Sequence, residues 1–380
     1  MVTEEIGRPK TPSSIHEFKL LTNKQDEKIL LKYMELGRLL YNAALGESMK
    51  RLKAVQNDPL YAQTVAIPKS SDTNKALRTA NFKLLNERYG YKNSALQAFA
   101  VKCKNNSKFI DQLGVHVVQG IATRAFKTSQ KVAFKKAKRV HFKRQDEYVT
   151  LEGKNNETFL TYKQTFGIIG KRTIPCKLRK NDPQFEHFLK HRIKFCRLVA
   201  RPFGSKQKFF LQVVYEGTPR KKYALGTERA ALDIGPSTIA VVSQSEATLE
   251  RFCQDLVTHA KTLKKLKREA SRKLRLANPQ CYDHRGAVIK GARFKNVSKA
   301  YKATRARIRD FEQRIAARRK QLHGVAINKI LRRSNFVAAE KLSYKAFQKL
   351  YGRSIAACAP AQFNKRSEEH TSELQSRHNL

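Results

Sequence analysis

The chain has 380 residues, with 78 Lys and Arg against 31 Asp and Glu, a formal charge of +47. Charge of that size strains a compact fold by self-repulsion unless a polyanion neutralises it, and nucleic acid is the polyanion that fits. The pattern excludes a membrane-spanning protein, because no apolar run approaches the roughly 18 residues of a spanning helix.

The start, MVTEEIGRPKTPSSIHEF, lacks the apolar stretch of a secretory signal, and residues 1–14 read as a disordered polar leader. Residues 15–22 alternate as a first strand. From Lys24 to about Leu52 the apolar residues Leu30, Met34, Leu36, Leu39, Leu40, Ala43 and Ala44 recur at helical spacing. Asn57, Asp58, Pro59 and Pro68 mark a loop, followed by helical stretches over 73–88 and 92–137. The last of these runs into RAFKTSQKVAFKKAKRVHFKRQ, where Phe126, Phe134 and Phe142 stand eight apart among cations. Phe126 and Phe134 are expected to face the core. The cations Lys127, Lys135, Lys136, Lys138, Arg139, Lys143 and Arg144 are expected to face phosphates.

From 147 to 217 the texture turns to β. Five short runs rich in Val, Phe, Tyr and Thr, broken by Gly, Asn and Pro, predict a small antiparallel barrel. With the strand at 15–22 it brackets the helical region as an insertion. Residues 228–256 then predict three consecutive strands, and two long basic helices follow at 257–277 and 296–331. Residues 257–333 hold 24 Lys or Arg and 4 acids. Leu263, Leu266, Leu274, Ile308, Phe311 and Ile315 fit the seam of a helical hairpin. Its outer cations, among them Lys264, Lys265, Lys267, Arg305, Arg307, Arg314, Arg318 and Arg319, have almost nothing but phosphate to pair with. NFVAAEKLS predicts one more strand, ending in Glu340.

The strand ALDIG carries Asp233 among apolar residues. An ionised carboxylate in an apolar setting survives when paired, hydrogen-bonded or bound to metal. One reading makes Asp233 a turn cap with Gly235 and Pro236. The other follows from the wider pattern: an antiparallel trio, a helical crossover and a strand returning beside the first is an RNase H-like layout. In it Asp233 and Glu340 meet on adjacent parallel strands. Two carboxylates together call for a hard cation, Mg²⁺ or Mn²⁺. Paired ions of this kind clamp the attacking water and the leaving oxygen of a phosphodiester.

Several segments together resemble TnpB, the OrfB-type accessory transposase of small insertion sequences. GRLLYNAAL (37–45) is similar to the family's first helix and RVHFKR (139–144) to its basic Phe-Lys motif. ALDIGPSTIAVVS and RRKQLHGVAINKILRRSNFVAAEKLSYKAFQKLYGRS are similar to its first and second RuvC-like motifs. No single motif is decisive; the order and spacing carry the likeness. The resemblance implies an RNA-guided, metal-dependent DNA endonuclease encoded by a transposon. It implies a DNA target, an element-derived guide RNA, and a cytoplasmic, nucleoid-associated location in a prokaryote. Asp233 and Glu340 match the family's first two catalytic carboxylates and would be its metal ligands. The implied fold is α/β: a wedge-like barrel (15–25 and 145–226) with a helical insertion (26–144), then a RuvC-like domain (227–365).

The chain departs from the family at its end. The six cysteines, Cys103, Cys176, Cys196, Cys253, Cys281 and Cys358, form no C-x-x-C pair, so the family's zinc ribbon is missing. They read as reduced thiols of a reducing compartment. No Asp follows Asp310, so the third catalytic carboxylate is missing too. The last residues, RSEEHTSELQSRHNL, match a translated sequencing adapter, since AGA TCG GAA GAG CAC ACG TCT GAA CTC CAG encodes Arg366 to Gln375. The tail 366–380 is therefore expected to be an artefact of a truncated frame, and Glu368, Glu369, His370 and Glu373 to have no catalytic role. Two functions stand side by side: a nuclease whose catalytic set is incomplete here, and a non-catalytic basic nucleic-acid-binding protein.

Overall fold

The computed structural model describes residues 11–108, 111–145, 147–153, 159–203, 206–218, 220, 224–253, 255–340 and 344–364. The chain divides into two compact units, Met1–Pro202 with Lys206–Arg220, and Phe203–Ser205 with Lys221–Leu380. Most of the expected leader (residues 1–10) and the whole expected artefact tail (366–380) lie outside the described residues.

In the first unit, strand β1 (Ser13–Leu20) alternates exposed and buried residues and sends Phe18 and Leu20 into the core. Helix α1 (Lys24–Asn57) opens on a capping box. The Asn23 side chain accepts from the Asp26 N–H at 2.8 Å, and the Asp26 carboxylate accepts from the Asn23 N–H at 3.2 Å. The expected loop after it contains a helix, α2 (Pro59–Ala66). Asp58 caps it and Pro59 occupies the first turn, where the missing N–H costs nothing, so Asp-Pro was a start signal. Helix α3 (Asp72–Arg88) follows. The expected single helix over 92–137 is two, α4 (Asn93–Asn105) and α5 (Val115–Ala133), parted by a polar stretch and Gly114.

Six strands follow where five were expected: β2 (Thr150–Glu152), β3 (Leu160–Lys163), β4 (Phe166–Ile169), β5 (Arg172–Lys177), β6 (Ile193–Phe203) and β7 (Lys206–Glu216). With β1 they form a seven-stranded antiparallel sheet, in the order β2-β6-β7-β1-β5-β4-β3, curled into a half-barrel. A short helix, α6 (Pro183–Leu189), lies between β5 and β6. The first strand is thus hydrogen-bonded to the last and to β5, which closes the unit around its helices. One continuous apolar core joins the helices to the sheet. Gly37 marks the closest approach: a Cβ there would lie 2.7 Å from Leu151 Cδ2 and 2.8 Å from Tyr148 Cε1.

In the second unit, β8 (Glu228–Ile234), β9 (Thr238–Ser243) and β10 (Ala247–Arg251) run antiparallel in turn. Helices α7 (Asp255–Ala277) and α8 (Lys299–Arg333) then carry the chain to β11 (Ser334–Ala339), which pairs parallel with β8. The sheet order is β10-β9-β8-β11. One face, with Leu232, Ile234 and Ile239, packs on Leu256, Ile315, Ile327 and Ile330 from the two helices. The end of α9 (Tyr344–Cys358) and Phe363 complete that core. His323 is buried there, its Nε2 2.8 Å from the Cys358 carbonyl and its ring stacked on Phe252 at 5.2 Å.

The α7–α8 hairpin is zipped by Leu266, Ala270 and Ile308, with Leu263, Tyr301 and Phe311 alongside. Across it, Lys273 Nζ donates to Glu269 at 2.6 Å and to buried Thr304 at 2.8 Å. At the tip, buried Asn278 exchanges two hydrogen bonds with the Asn296 backbone, at 2.6 and 3.0 Å, and so staples the connection.

Candidate metal centre and nucleic-acid interface

Strand β8 alternates strictly: Ala230, Leu232 and Ile234 are buried, while Arg229, Ala231 and Asp233 are exposed. Asp233 therefore belongs to the solvent face of an apolar strand, which removes the desolvation problem its sequence context implies. Ala338 lies opposite Ala231 and Ala339 opposite Leu232 in the parallel β8–β11 register. One residue further on, that register puts Glu340 opposite Asp233. Glu340 is also exposed. The turn-cap reading of Asp233 fails, because its carboxylate accepts no hydrogen bond from a described residue.

Neither carboxylate ion-pairs with a described cation, although cations outnumber acids by 78 to 31 in this chain. Exposed carboxylates with no described counter-charge provide hard oxygen donors and room for water, the preference of Mg²⁺ or Mn²⁺. Among the described residues, no group of three or more His, Cys, Asp or Glu is arranged to hold a metal. Asp233 and Glu340 are the residues that would hold such an ion, with water completing its coordination. Sequence reasoning did not single out Tyr344, at the start of α9. Its phenol is pushed above the ordinary value by burial and then by the nearby negative charge of Glu340. Its hydroxyl accepts from Asn364 Nδ2 at 2.8 Å. The face that bears Asp233 also exposes Val242, Leu249 and Phe336, with the Arg229 guanidinium 5.7 Å from the Phe336 ring centroid.

The predicted phosphate-facing residues fall into two sets, one in each unit. In the first, Lys127, Lys135, Lys136, Lys138, Arg139 and Arg144 are exposed and Lys143 is half-buried. The helix α5 ends before Lys135, so all but Lys127 lie on an irregular segment. Phe126 is buried as expected. Phe134 is 66% exposed, against expectation, because α5 terminates at that residue and its ring turns out of the helical face.

In the hairpin set, Lys264, Lys265, Lys267, Arg305, Arg307, Arg314 and Arg318 are exposed. Lys264, Lys265 and Arg305 pair with no described carboxylate. Lys267 bridges to Glu312 at 2.8 Å, Arg314 to Asp310 at 2.5 Å, Arg318 to Asp255 at 2.8 Å, and Arg307 approaches Glu269 at 3.8 Å. Exposed pairs of this kind contribute about 0–1 kcal/mol and yield readily to a phosphate. Arg319 differs. Its guanidinium donates to the Ala357 and Ala356 carbonyls at 2.7 and 3.0 Å, neutralising the negative end of α9. Its role is to hold α9, and it drops out of the phosphate-facing set.

Among the described residues, no helix is long and apolar enough to cross a membrane. No family model matches the chain, and no curated protein matches it. Among solved structures, a Cas12f1–sgRNA–target DNA complex is similar at 10% identity and a TM-score of 0.40, over 95% of this chain and 87% of that one. A CRISPR-Cas12f ternary complex is similar at 12% identity and a TM-score of 0.30, over 84% of this chain and 63% of that one. Both scores lie below the level at which a shared fold is drawn.

Proposed function

We propose that this protein binds nucleic acid through its basic surfaces and holds one divalent cation between Asp233 and Glu340. The reading sits within the RNA-guided, metal-dependent DNA endonucleases of transposons that the sequence resembles, on an RNase H-like second unit. The observation that supports it is the parallel β8–β11 register, whose last pair is Leu232 with Ala339, so that the two acids follow directly on adjacent strands. Both residues are oxygen donors to Mg²⁺ or Mn²⁺, and an ion held there would polarise a phosphodiester oxygen. Asp233 and Glu340 are both exposed, so an ion would be gained without burying either acid.

The basic surfaces carry the binding half of this reading, and the two carboxylates carry its metal half. A non-catalytic basic nucleic-acid-binding protein is the second reading. The test incubates the full chain with guide-type RNA and a matched DNA target in Mg²⁺ or Mn²⁺. The expected result is salt-sensitive binding, and Asp233→Ala leaves that binding intact while removing any metal-dependent cutting. Absence of binding removes the reading, and metal-dependent cutting that survives Asp233→Ala removes the metal-holding role of Asp233.

A further inference from the structure

We infer that residues 134–144 form a stacking platform for the bases of a single nucleic-acid strand, with Phe134 and Phe142 as the two platforms. The inference rests on the nucleic-acid reading above and gives it a strand preference. Single exposed apolar residues are ordinary on protein surfaces. This pair is not isolated: Phe134 is 66% and Phe142 53% exposed, and six cations with no acid lie between Phe134 and Gln145. Neither ring stacks on another described aromatic, and each is more than half exposed. Phe142 lies beside Gly46 of α1, where an added Cβ would lie 3.9 Å from its Cε1.

The segment is irregular but fixed at both ends. At its start, Lys135 takes a left-handed φ of +55°, and the Lys136 and Ala137 N–H groups both return to the Lys131 carbonyl, at 2.7 and 2.9 Å. A lysine adopts that conformation at a cost, which the turn's hydrogen bonds offset. At its end, Asn42 exchanges two hydrogen bonds with the Lys143 backbone, both 2.8 Å, and Arg38 donates to the Lys143 carbonyl at 3.0 Å. A backbone held in this way loses little further freedom when it binds. Cations that track a phosphate backbone, interleaved with open aromatic faces, match an unpaired strand, whose bases are free to stack. A duplex hides those faces.

The chain contains no tryptophan, so Phe134→Trp and Phe142→Trp each install a sole fluorescent reporter. Each full-length variant is titrated with oligo(U), with oligo(dT), and with a DNA duplex of equal length, while affinity is measured separately by filter binding. The inference expects single strands to quench the tryptophan emission strongly and the duplex to leave it nearly unchanged. The stronger of the two single-strand responses identifies RNA or DNA as the source. Phe134→Ala and Phe142→Ala should each weaken single-strand binding on the order of tenfold. Their salt slope should stay unchanged, because no phosphate contact is removed. Binding with unquenched emission, or equal quenching by duplex, overturns the platform and leaves the broader reading intact. No binding by any of the three overturns both.

Discussion

The parallel β8–β11 register pairs Leu232 with Ala339, and the residues that directly follow them, Asp233 and Glu340, are both exposed acids. Neither ion-pairs with a described cation, in a chain where cations are abundant. Geometry that exposes both acids while burying Leu232 and Ile234 beneath them keeps the donors wet and the strand anchored.

The hairpin account makes a prediction about salt. Reversing Lys264, Lys265, Arg307 and Arg314 to Glu should reduce the slope of log affinity against log salt for duplex DNA by roughly three to four, at about 0.9 per phosphate contact. The slopes come from filter binding over a salt series. An unchanged slope would mean that the hairpin faces away from the nucleic acid.

Arg319 predicts the opposite pattern. Arg319→Ala removes two hydrogen bonds to the end of α9, so stability should fall by about 1–2 kcal/mol in urea unfolding. The salt slope of binding should not move. A change in slope without a change in stability would return Arg319 to the phosphate-facing set.

Asp58 predicts a pH dependence. Its carboxyl lies below the ordinary range through the Tyr89 hydroxyl, then the Leu60 N–H, with Arg88 adding to it. A folded-state value below the unfolded one gives stability that is present above the usual carboxylate range and is lost as pH falls through the folded value. The melting temperature of Asp58→Ala should therefore trail the wild type most at neutral pH, with the gap narrowing in acid. An equal gap at both pH values would show that the Asp58 charge contributes nothing.

Gly37 predicts a packing cost. Gly37→Ala drives a methyl into Leu151 and Tyr148, both buried, and should destabilise the first unit by about 1–3 kcal/mol. Denaturant unfolding measures it, and wild-type stability in the variant would show that the contact relaxes freely.

Much of the second unit was legible in the sequence because its signals are local. Apolar runs marked β8 to β10, charge and apolar spacing marked α7 and α8, and Asp233 and Glu340 stood out as acids in apolar strands. The sequence did not reveal that Asp233 is exposed, since alternation between Leu232 and Ile234 reads the same whether or not the second face is covered. Phe134 misled for a related reason. Helical spacing from Phe126 continues through it, but the backbone turns left-handed at Lys135, a conformation that lysine does not advertise. Arg319 was unreadable as a structural residue because its partners are backbone carbonyls 37 and 38 positions away. Asp58-Pro59 looked like a loop because the same pair serves turns and helix starts alike.

The central claim is tested most directly by titrating the full chain with Mn²⁺ and following free ion by electron paramagnetic resonance. Wild-type protein should bind one ion weakly, on the order of millimolar, because two carboxylates leave most of the coordination sphere to water. Asp233→Asn and Glu340→Gln should each abolish that binding while nucleic-acid affinity at fixed salt is retained. Mn²⁺ binding that persists unchanged in both variants would contradict the account.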